Sequence, residues 1–191
     1  MFDINYDRER YKRPFDDLLV GKKELVGAEI GVYCGQHARE MLEKLDIKKL
    51  YLVDIWRKYD GYQLKHNVAN PYSVAEKLLR PFNSKLVWIK KFSTDAVKMF
   101  EDNSLDFVYI DVNHEYYYFY QDIEIWPPKV KSGGYVGGHD YRGIHGGLDF
   151  KGVRKAVNDY CEKNNINFDT KDGTTSVDWF FKKGFKNEVG D

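Results

Sequence analysis

Residues 27–36 read GAEIGVYCGQ, an apolar run that turns through two glycines into a helical pattern. Glycine at positions 31 and 35 lets the backbone approach a ligand closely, and the following helix start offers unpaired amide donors. A dinucleotide-binding fingerprint starting at Gly31 would also place glycine at positions 33 and 36, where this chain has Tyr33 and Gln36. The turn alone is therefore compatible with a structural bend or a ligand loop, and it disfavours a nicotinamide dinucleotide.

Outward from this turn, short apolar runs alternate with amphipathic stretches. The strand-like runs are 27–33, 49–55, 85–91, 105–111 and 133–139, and helical spacing covers 36–47, 73–82 and 150–166. Such alternation predicts an α/β fold with a mostly parallel sheet and helices on both faces. In residues 167–183 a polar turn separates two strand-like runs, which predicts a closing antiparallel hairpin.

Composition limits the class of protein. The 191 residues predict one domain, 1–191, with an N-terminal extension at 1–23 and a core at 24–183. Lys and Arg number 30, as do Asp and Glu, so the zero net charge disfavours generic nucleic-acid binding. The two cysteines form no metal-type or CxxC spacing, which favours a reducing, cytoplasmic location. No apolar run approaches the roughly 20 residues of a membrane span.

An acid stands where the second strand-like run ends. Asp54 closes LYLVD, and a carboxylate at that tip is placed to accept both ribose hydroxyls of an adenosine-type ligand. The alternative is a helix N-cap or a surface acid. Because Asp54 is in register with the glycine turn, the nucleoside site is favoured.

Acids and histidines also follow the fourth and fifth strand-like runs. Asp111 ends one run and the pair His139 and Asp140 ends the other, so all three should emerge at the same edge of a parallel sheet, where ligands bind. Carboxylates and imidazoles converging there suggest a divalent metal site for magnesium, manganese or calcium. Hydrogen bonds that only fix the loop are the alternative.

With these residues together, the chain resembles the class I S-adenosylmethionine-dependent methyltransferases. It looks most like a small single-domain branch whose members often methylate hydroxyls of sugars and natural products. Glu29, Gly31 and Gly35 match the acid-x-Gly-x-Gly-x-Gly loop of that family, with Tyr33 at the middle glycine. Asp54 matches the ribose-binding acid. The resemblance implies a Rossmann-like, doubly wound sheet.

Three later stretches extend the resemblance. FSTDAV at 92–97 is similar to a polar turn beside the adenine, which implies contacts from Ser93 and Thr94; capping a helix near Asp95 is the alternative. IDVNHEY at 110–116 and GGYVGGHDY at 133–141 resemble the endings of the fourth and fifth strands. The resemblance thus covers roughly residues 24–183.

The implied function is transfer of a methyl group from S-adenosylmethionine to a hydroxyl of a sugar or glycan, assisted by magnesium or manganese. The implied cofactor-binding residues are Glu29, Gly31, Tyr33, Gly35, Asp54, Ser93, Thr94 and Asp111. The implied metal ligands are Asp111, His139 and Asp140, and the catalytic candidates are His114, Asp111 and His139. If His139 holds the metal, His114 is the expected base; without metal, either histidine would serve.

Two other functions remain open from sequence: a nicotinamide-dependent oxidoreductase, and a non-catalytic carbohydrate-binding or partner subunit. The acceptor would contact the irregular stretch 56–72, and the glycine-rich stretch 142–149 resembles a lid. The oligomeric state is not indicated by any pattern.

Overall fold

The computed structural model describes residues 13–57, 68–143, 150–174 and 176–184, which form one seven-stranded sheet flanked by helices. The strands are β1 Leu25–Ile30, β2 Ile47–Val53, β3 Leu86–Ile89, β4 Leu105–Ile110, β5 Val130–Gly143, β6 Asp169–Asp172 and β7 Ser176–Lys182. The helices are α1 Gln36–Lys44, α2 Pro71–Leu79, α3 Ser93–Ala96, α4 Tyr116–Ile125 and α5 Lys151–Lys163.

The strand order is β3-β2-β1-β4-β5-β7-β6. Strands β1 to β5 pair in parallel, and β7 pairs antiparallel with both β5 and β6. Ile30 aligns with Val53 on one side and Ile110 on the other, and Ile110 aligns with Gly138. Val53 also aligns with Ile89, so β1, β2, β3 and β4 end together at one edge, and β5 continues past it to Gly143. The predicted Rossmann-like sheet and the C-terminal antiparallel hairpin are both confirmed.

Apolar side chains cover both faces of the sheet. On one face Val108 and Ile110 pack with the α4 residues Phe119 and Ile123, which lie one helical turn apart. On the other face Leu50, Leu52, Phe107 and Tyr109 pack with α1, whose Met41 is fully buried. Burial of a side chain such as Met41 stabilises the fold by about 2 kcal/mol. Each face of the sheet therefore carries its own apolar core.

Two helix boundaries differ from their prediction. The first helix was predicted to reach residue 47, but it ends at Lys44 because Leu45 is already extended and Ile47 begins β2. The second was predicted at 73–82. It begins at Pro71, where Asn70 caps it by accepting a hydrogen bond from the Ser73 N–H, and it ends at Leu79 before a 3-10 turn that contains a proline.

A 3-10 segment, Pro14–Leu19, docks against the sheet beside β4 and β5. Its Phe15 is fully buried, with its ring 5.2 Å from that of Tyr109. A Cβ on Gly137 of β5 would lie 2.4 Å from the Phe15 ring, so glycine there makes room for it. Among the described residues, no helix is long and apolar enough to cross a membrane. Parts of the two irregular stretches, 58–67 and 144–149, lie outside the described residues.

Candidate active site

The glycine turn after β1 is held in shape by the first acid beyond β2. Gly31 has φ +87°, and a Cβ there would lie 1.8 Å from the carbonyl oxygen of Asp111, so the turn reaches the end of β4 only with glycine. Tyr33 has φ 50°, the left-handed region that glycine adopts freely. Asp54 Oδ2 accepts 2.9 Å hydrogen bonds from the N–H groups of Val32 and Tyr33. The turn therefore keeps the backbone conformation that a middle glycine would adopt, although Tyr33 occupies that position.

Trp56 also stabilises this turn, through two hydrogen bonds. Its indole Nε1 donates to the Tyr33 carbonyl oxygen at 2.8 Å, and its own N–H donates to Asp54 Oδ1 at 2.6 Å. The ring lies 5.3 Å from Tyr72 and 5.5 Å from Trp88. Trp56 also has φ 46°, and such a conformation costs about 1 kcal/mol, which these bonds offset. No sequence pattern marked Trp56, because it opens an irregular stretch.

A cavity of about 390 Å³ opens beside this turn, where β2 and β3 end. It is lined by Ile55, Arg57, Lys90, Lys91, Phe92 and Asp95. The Phe92 ring is 41% exposed and the Arg57 guanidinium lies 5.9 Å from its centroid. An open cavity with a flat apolar wall next to a carboxylate suits a nucleoside.

Two hydroxyl residues expected beside the adenine form the first turn of α3 instead of lining this cavity. The Ser93 hydroxyl accepts a 2.6 Å hydrogen bond from the Trp126 indole, and Thr94 is half-buried. The helix N-cap is Phe92, so neither residue caps α3. The cavity wall at this point is formed by the residues on either side, Phe92 and Asp95.

Three side chains meet at the end of β4 and the irregular part of β5 between Gly138 and Arg142, and we call them the edge triad: Asp111, His114 and Asp140. Each offers a ligand atom, and these atoms all lie within 4.8 Å of one another. His114 Nε2 lies 2.9 Å from Asp140 Oδ2 and 3.6 Å from Asp111 Oδ1, yet it is buried and makes no well-angled hydrogen bond. Asp140 has φ 59°, a strained conformation of the kind that clusters at functional sites.

Charge within the edge triad favours a protonated histidine. Burial lowers the pKa of His114, but the nearby carboxylates of Asp111 and Asp140 outweigh it and raise the pKa to about 9. Burial raises the pKa of Asp111, but His114 and His139 lower this pKa by more. The pKa of Asp111 therefore lies well below its usual value. A cation entering the triad would displace the His114 proton. The proton also disfavours His114 as a base at neutral pH.

His139 lies beside the edge triad but outside the group of possible metal ligands, among which the sequence placed it. Its Nδ1 is 2.8 Å from Asp178 Oδ1, while its Nε2 is 3.5 Å from Asp140 Oδ1. Within the described part of the chain, the group able to hold an ion contains His114 and does not contain His139. Because a carboxylate accepts at Nδ1, that nitrogen carries the proton and Nε2 keeps its lone pair.

Asp178 is a functional candidate that no motif marked. It is fully buried, and it also accepts hydrogen bonds from the Tyr109 hydroxyl at 3.1 Å and the Phe15 N–H at 3.2 Å. The signal available was a single acid inside the otherwise apolar strand SVDWFF. A buried carboxylate in such a strand needs partners, and His139 is one of them.

A second histidine lies between two acids inside the protein, and we call it the sealed triad: Asp16, Glu29 and His37. His37 Nδ1 is 3.0 Å from Glu29 Oε1 and its Nε2 is 3.1 Å from Asp16 Oδ1. Burial lowers the pKa of His37, but the two carboxylates outweigh it and raise the pKa to about 10. Glu29, expected to bind cofactor, is 2% exposed, and its carboxylate contacts His37 of α1.

The structure thus brings the turn, Asp54, the cavity and the edge triad to one edge of the sheet. The family model described as a methyltransferase domain matches residues 28–141, which run from β1 into β5 and include all of these features. The chain belongs to this methyltransferase family. It is a class I enzyme that uses S-adenosylmethionine.

Solved structures share the fold of this methyltransferase at low identity. Cofactor-bound Rv0187 from MTB is 16% identical, with a TM-score of 0.66 over 90% of this chain and 79% of that one. An O-methyltransferase from Bacillus cereus in complex with SAH is 12% identical, with a TM-score of 0.64 over 88% and 79%. The O-methyltransferase NovP is 14% identical, with a TM-score of 0.63 over 93% and 78%. No curated protein sequence matches the chain.

Proposed function

We propose that this methyltransferase transfers the methyl group of S-adenosylmethionine to a hydroxyl of a sugar or glycan, with a divalent cation held by the edge triad. One observation carries the proposal: three cation-binding side chains converge within 4.8 Å at the strand ends, beside the glycine turn. The O-methyltransferase descriptions of two structural neighbours support transfer to oxygen. The family match favours this activity over a nicotinamide oxidoreductase or a non-catalytic subunit.

The cofactor's nucleoside would occupy the cavity between Asp54 and Phe92. Asp54 uses one lone pair of Oδ1 on the Trp56 N–H and retains acceptor capacity for ribose hydroxyls. Phe92 offers its exposed ring to the base. Glu29 supports the turn through His37 and does not reach the cavity lining.

The edge triad fits a divalent cation by the chemistry of its donors. Two carboxylates and an imidazole nitrogen suit magnesium or manganese, and that nitrogen is buried without a hydrogen bond. A bound cation would supply Lewis acidity that favours deprotonation of an acceptor hydroxyl. His114 is the histidine ligand in this proposal, in place of His139.

His139 would take the proton of the acceptor hydroxyl. The bond from Nδ1 to Asp178 fixes the ring orientation and leaves the Nε2 lone pair next to the edge triad. Asp178 is a positioning residue, because it contacts His139 and is fully buried. Alignment of hydroxyl and methyl group by the surrounding side chains supplies much of the remaining rate.

A sugar acceptor is supported by exposed aromatic rings that follow His114 in the chain. Tyr117 and Tyr118 lie in the first turn of α4, soon after His114, and are 70% and 42% exposed. Flat exposed rings suit the faces of sugars. Buried free thiols at Cys34 and Cys161 agree with a cytoplasmic location.

Calorimetry with S-adenosylhomocysteine tests the cofactor site. The native protein should bind it, and Asp54→Ala should weaken binding at least about tenfold, since a charge-assisted hydrogen bond contributes about 2 kcal/mol. Asp46→Ala is the matched control, because Asp46 is a half-exposed acid just before the opposite end of β2. Equal affinity in the two variants would contradict the role of Asp54.

Transfer of a labelled methyl group tests the acceptor and the metal. Simple glycosides should be methylated in preference to catechol or RNA, chelation should abolish the transfer, and added magnesium or manganese should restore it. Transfer to catechol or RNA alone would reject the sugar acceptor. Full activity in metal-free buffer would remove the cation from the mechanism.

A further inference from the structure

The His114 ring of the edge triad packs against an aromatic side chain from another element of the fold. The centroid of the Phe150 ring lies 4.0 Å from that of His114, and the two ring planes are 37° apart. Phe150 is the half-buried N-cap residue of α5, and it packs against the apolar core on that face of the sheet. The contact therefore joins His114, which follows β4, to a residue anchored at the start of α5.

Hydrogen bonds do not fix the orientation of this imidazole toward its acids. His114 Nε2 lies 2.9 Å from Asp140 Oδ2 and 3.6 Å from Asp111 Oδ1, yet it is buried and makes no well-angled bond to either. A histidine that binds a metal is ordinarily oriented by a further partner, whose loss weakens the affinity by about 10–100-fold. Rotation of the imidazole away from the acids would displace the Phe150 ring or break its contact, so packing supplies this restraint.

The main chain of His114 is held by the same helix. A Cβ on Gly152 would lie 2.7 Å from the Tyr116 nitrogen and closer still to the His114 carbonyl oxygen, so the first turn of α5 meets this loop only with glycine. The Tyr116 hydroxyl also donates to Asp159 Oδ2 at 2.7 Å, which ties the start of α4 to α5. The beginning of α5 thus contacts both the main chain and the ring of His114.

We propose that Phe150 is a positioning residue for the cation site: it holds the His114 imidazole toward Asp140 and Asp111, so that the three ligand atoms are in place before an ion binds. This inference rests on the proposed cation site and adds a residue that contacts no ion itself. Phe150 acts through His114, because a hydrocarbon ring offers no ligand atom. Such pre-organisation raises affinity by removing the cost of ordering a side chain when the ion binds.

Manganese binding, followed by electron paramagnetic resonance, tests the role of the ring. Phe150→Met keeps an apolar side chain but loses the flat ring, so the affinity should fall about tenfold. Phe150→Tyr keeps the ring and should bind within about twofold of the native protein. Phe82→Met is the matched control, because Phe82 is a half-buried phenylalanine that packs against the core on the other face of the sheet. This control should bind as the native protein does.

Nuclear magnetic resonance of the metal-free protein gives a second readout, which a purely structural role of Phe150 would not produce. The ring current of Phe150 should shift the ring protons of His114 upfield. The shift should be lost in Phe150→Met and kept in Phe150→Tyr. It reports the contact between the two rings independently of any ion.

Native manganese affinity in Phe150→Met would overturn the proposal. An equal loss in Phe150→Met and Phe150→Tyr, or in Phe82→Met, would overturn it too, because the effect would then not come from an aromatic ring on His114. If Phe150→Met does not fold, the native protein and Phe150→Tyr decide: His114 ring protons at the positions of an unstacked imidazole would overturn the proposal, and an upfield shift kept together with the manganese affinity would support it. Absence of manganese binding by the native protein would instead reject the cation site, and this inference with it.

Discussion

The sealed triad and the edge triad have the same composition, one histidine between two acids, in opposite surroundings. Side chains of the sealed triad are 0 to 6% exposed, and those of the edge triad are 11 to 29% exposed. The sealed histidine bonds both of its acids at ordinary distances, whereas the edge histidine makes no well-angled bond to either. The same residue types thus form buried ion pairs in the sealed triad and an open set of possible metal ligands in the edge triad.

Topology accounts for this difference. The sealed triad consists of residues from β1, α1 and the N-terminal 3-10 segment. The edge triad consists of two residues just beyond β4 and one in β5 past Gly138, at the edge where parallel sheets leave a crevice. Access to a ligand, more than residue identity, separates the two.

The largest expected effect comes from His37→Leu, which breaks the sealed triad. It leaves two buried acids without their cation, so the free energy of unfolding should fall by about 3–5 kcal/mol. The pKa of His37 is raised from 6.5 to about 10, so this stabilisation is fully present below pH 6.5 and is lost as the pH rises through about 10. Urea unfolding at pH 7 and pH 10.5 measures both effects.

His114→Leu is the matched control for that comparison. The acids of the edge triad are 11 and 29% exposed, so we expect a smaller loss, about 2 kcal/mol at pH 7. Equal losses in the two variants would show that the triads do not differ as described.

A smaller effect is expected at Asp122, a buried acid of α4 that forms no ion pair with a basic side chain among the described residues. Burial raises its pKa from 3.8 to about 7, despite a hydrogen bond with Ser93. The contribution of Asp122 to the free energy of unfolding is therefore fully present below pH 3.8 and is lost as the pH rises through 7. Asp122→Asn should raise the free energy of unfolding at pH 8 by up to about 4 kcal/mol, and by much less at pH 4. A pH-independent difference would contradict this account.

The smallest effect is expected from Trp56→Phe. It removes the indole hydrogen bond to the Tyr33 carbonyl oxygen, which contributes about 1 kcal/mol to holding the turn. Affinity for S-adenosylhomocysteine should fall by about fivefold, measured by calorimetry. Trp88→Phe, which contacts the same ring cluster without bonding the turn, should leave the affinity nearly unchanged.

The sequence predicted the sheet, its hairpin and the positions of Asp54 and Asp111, because hydrophobic period and strand-end placement are local signals. It assigned the metal histidine to position 139, because the family resemblance and the end of the fifth strand-like run both placed His139 beside Asp140. In the structure the His139 ring is held by Asp178, a residue of another strand that the sequence did not mark. His37 was likewise given no role, because its partners Asp16 and Glu29 belong to other elements of the fold.

Binding of manganese, followed by electron paramagnetic resonance, tests the central contrast most directly. The native protein should bind one ion, with affinity reduced about a hundredfold or more in Asp140→Asn and in His114→Gln. His37→Gln, provided it remains folded, should bind as the native protein does. Equal binding by all four proteins, or loss only in His37→Gln, would contradict the assignment of the cation to the edge triad.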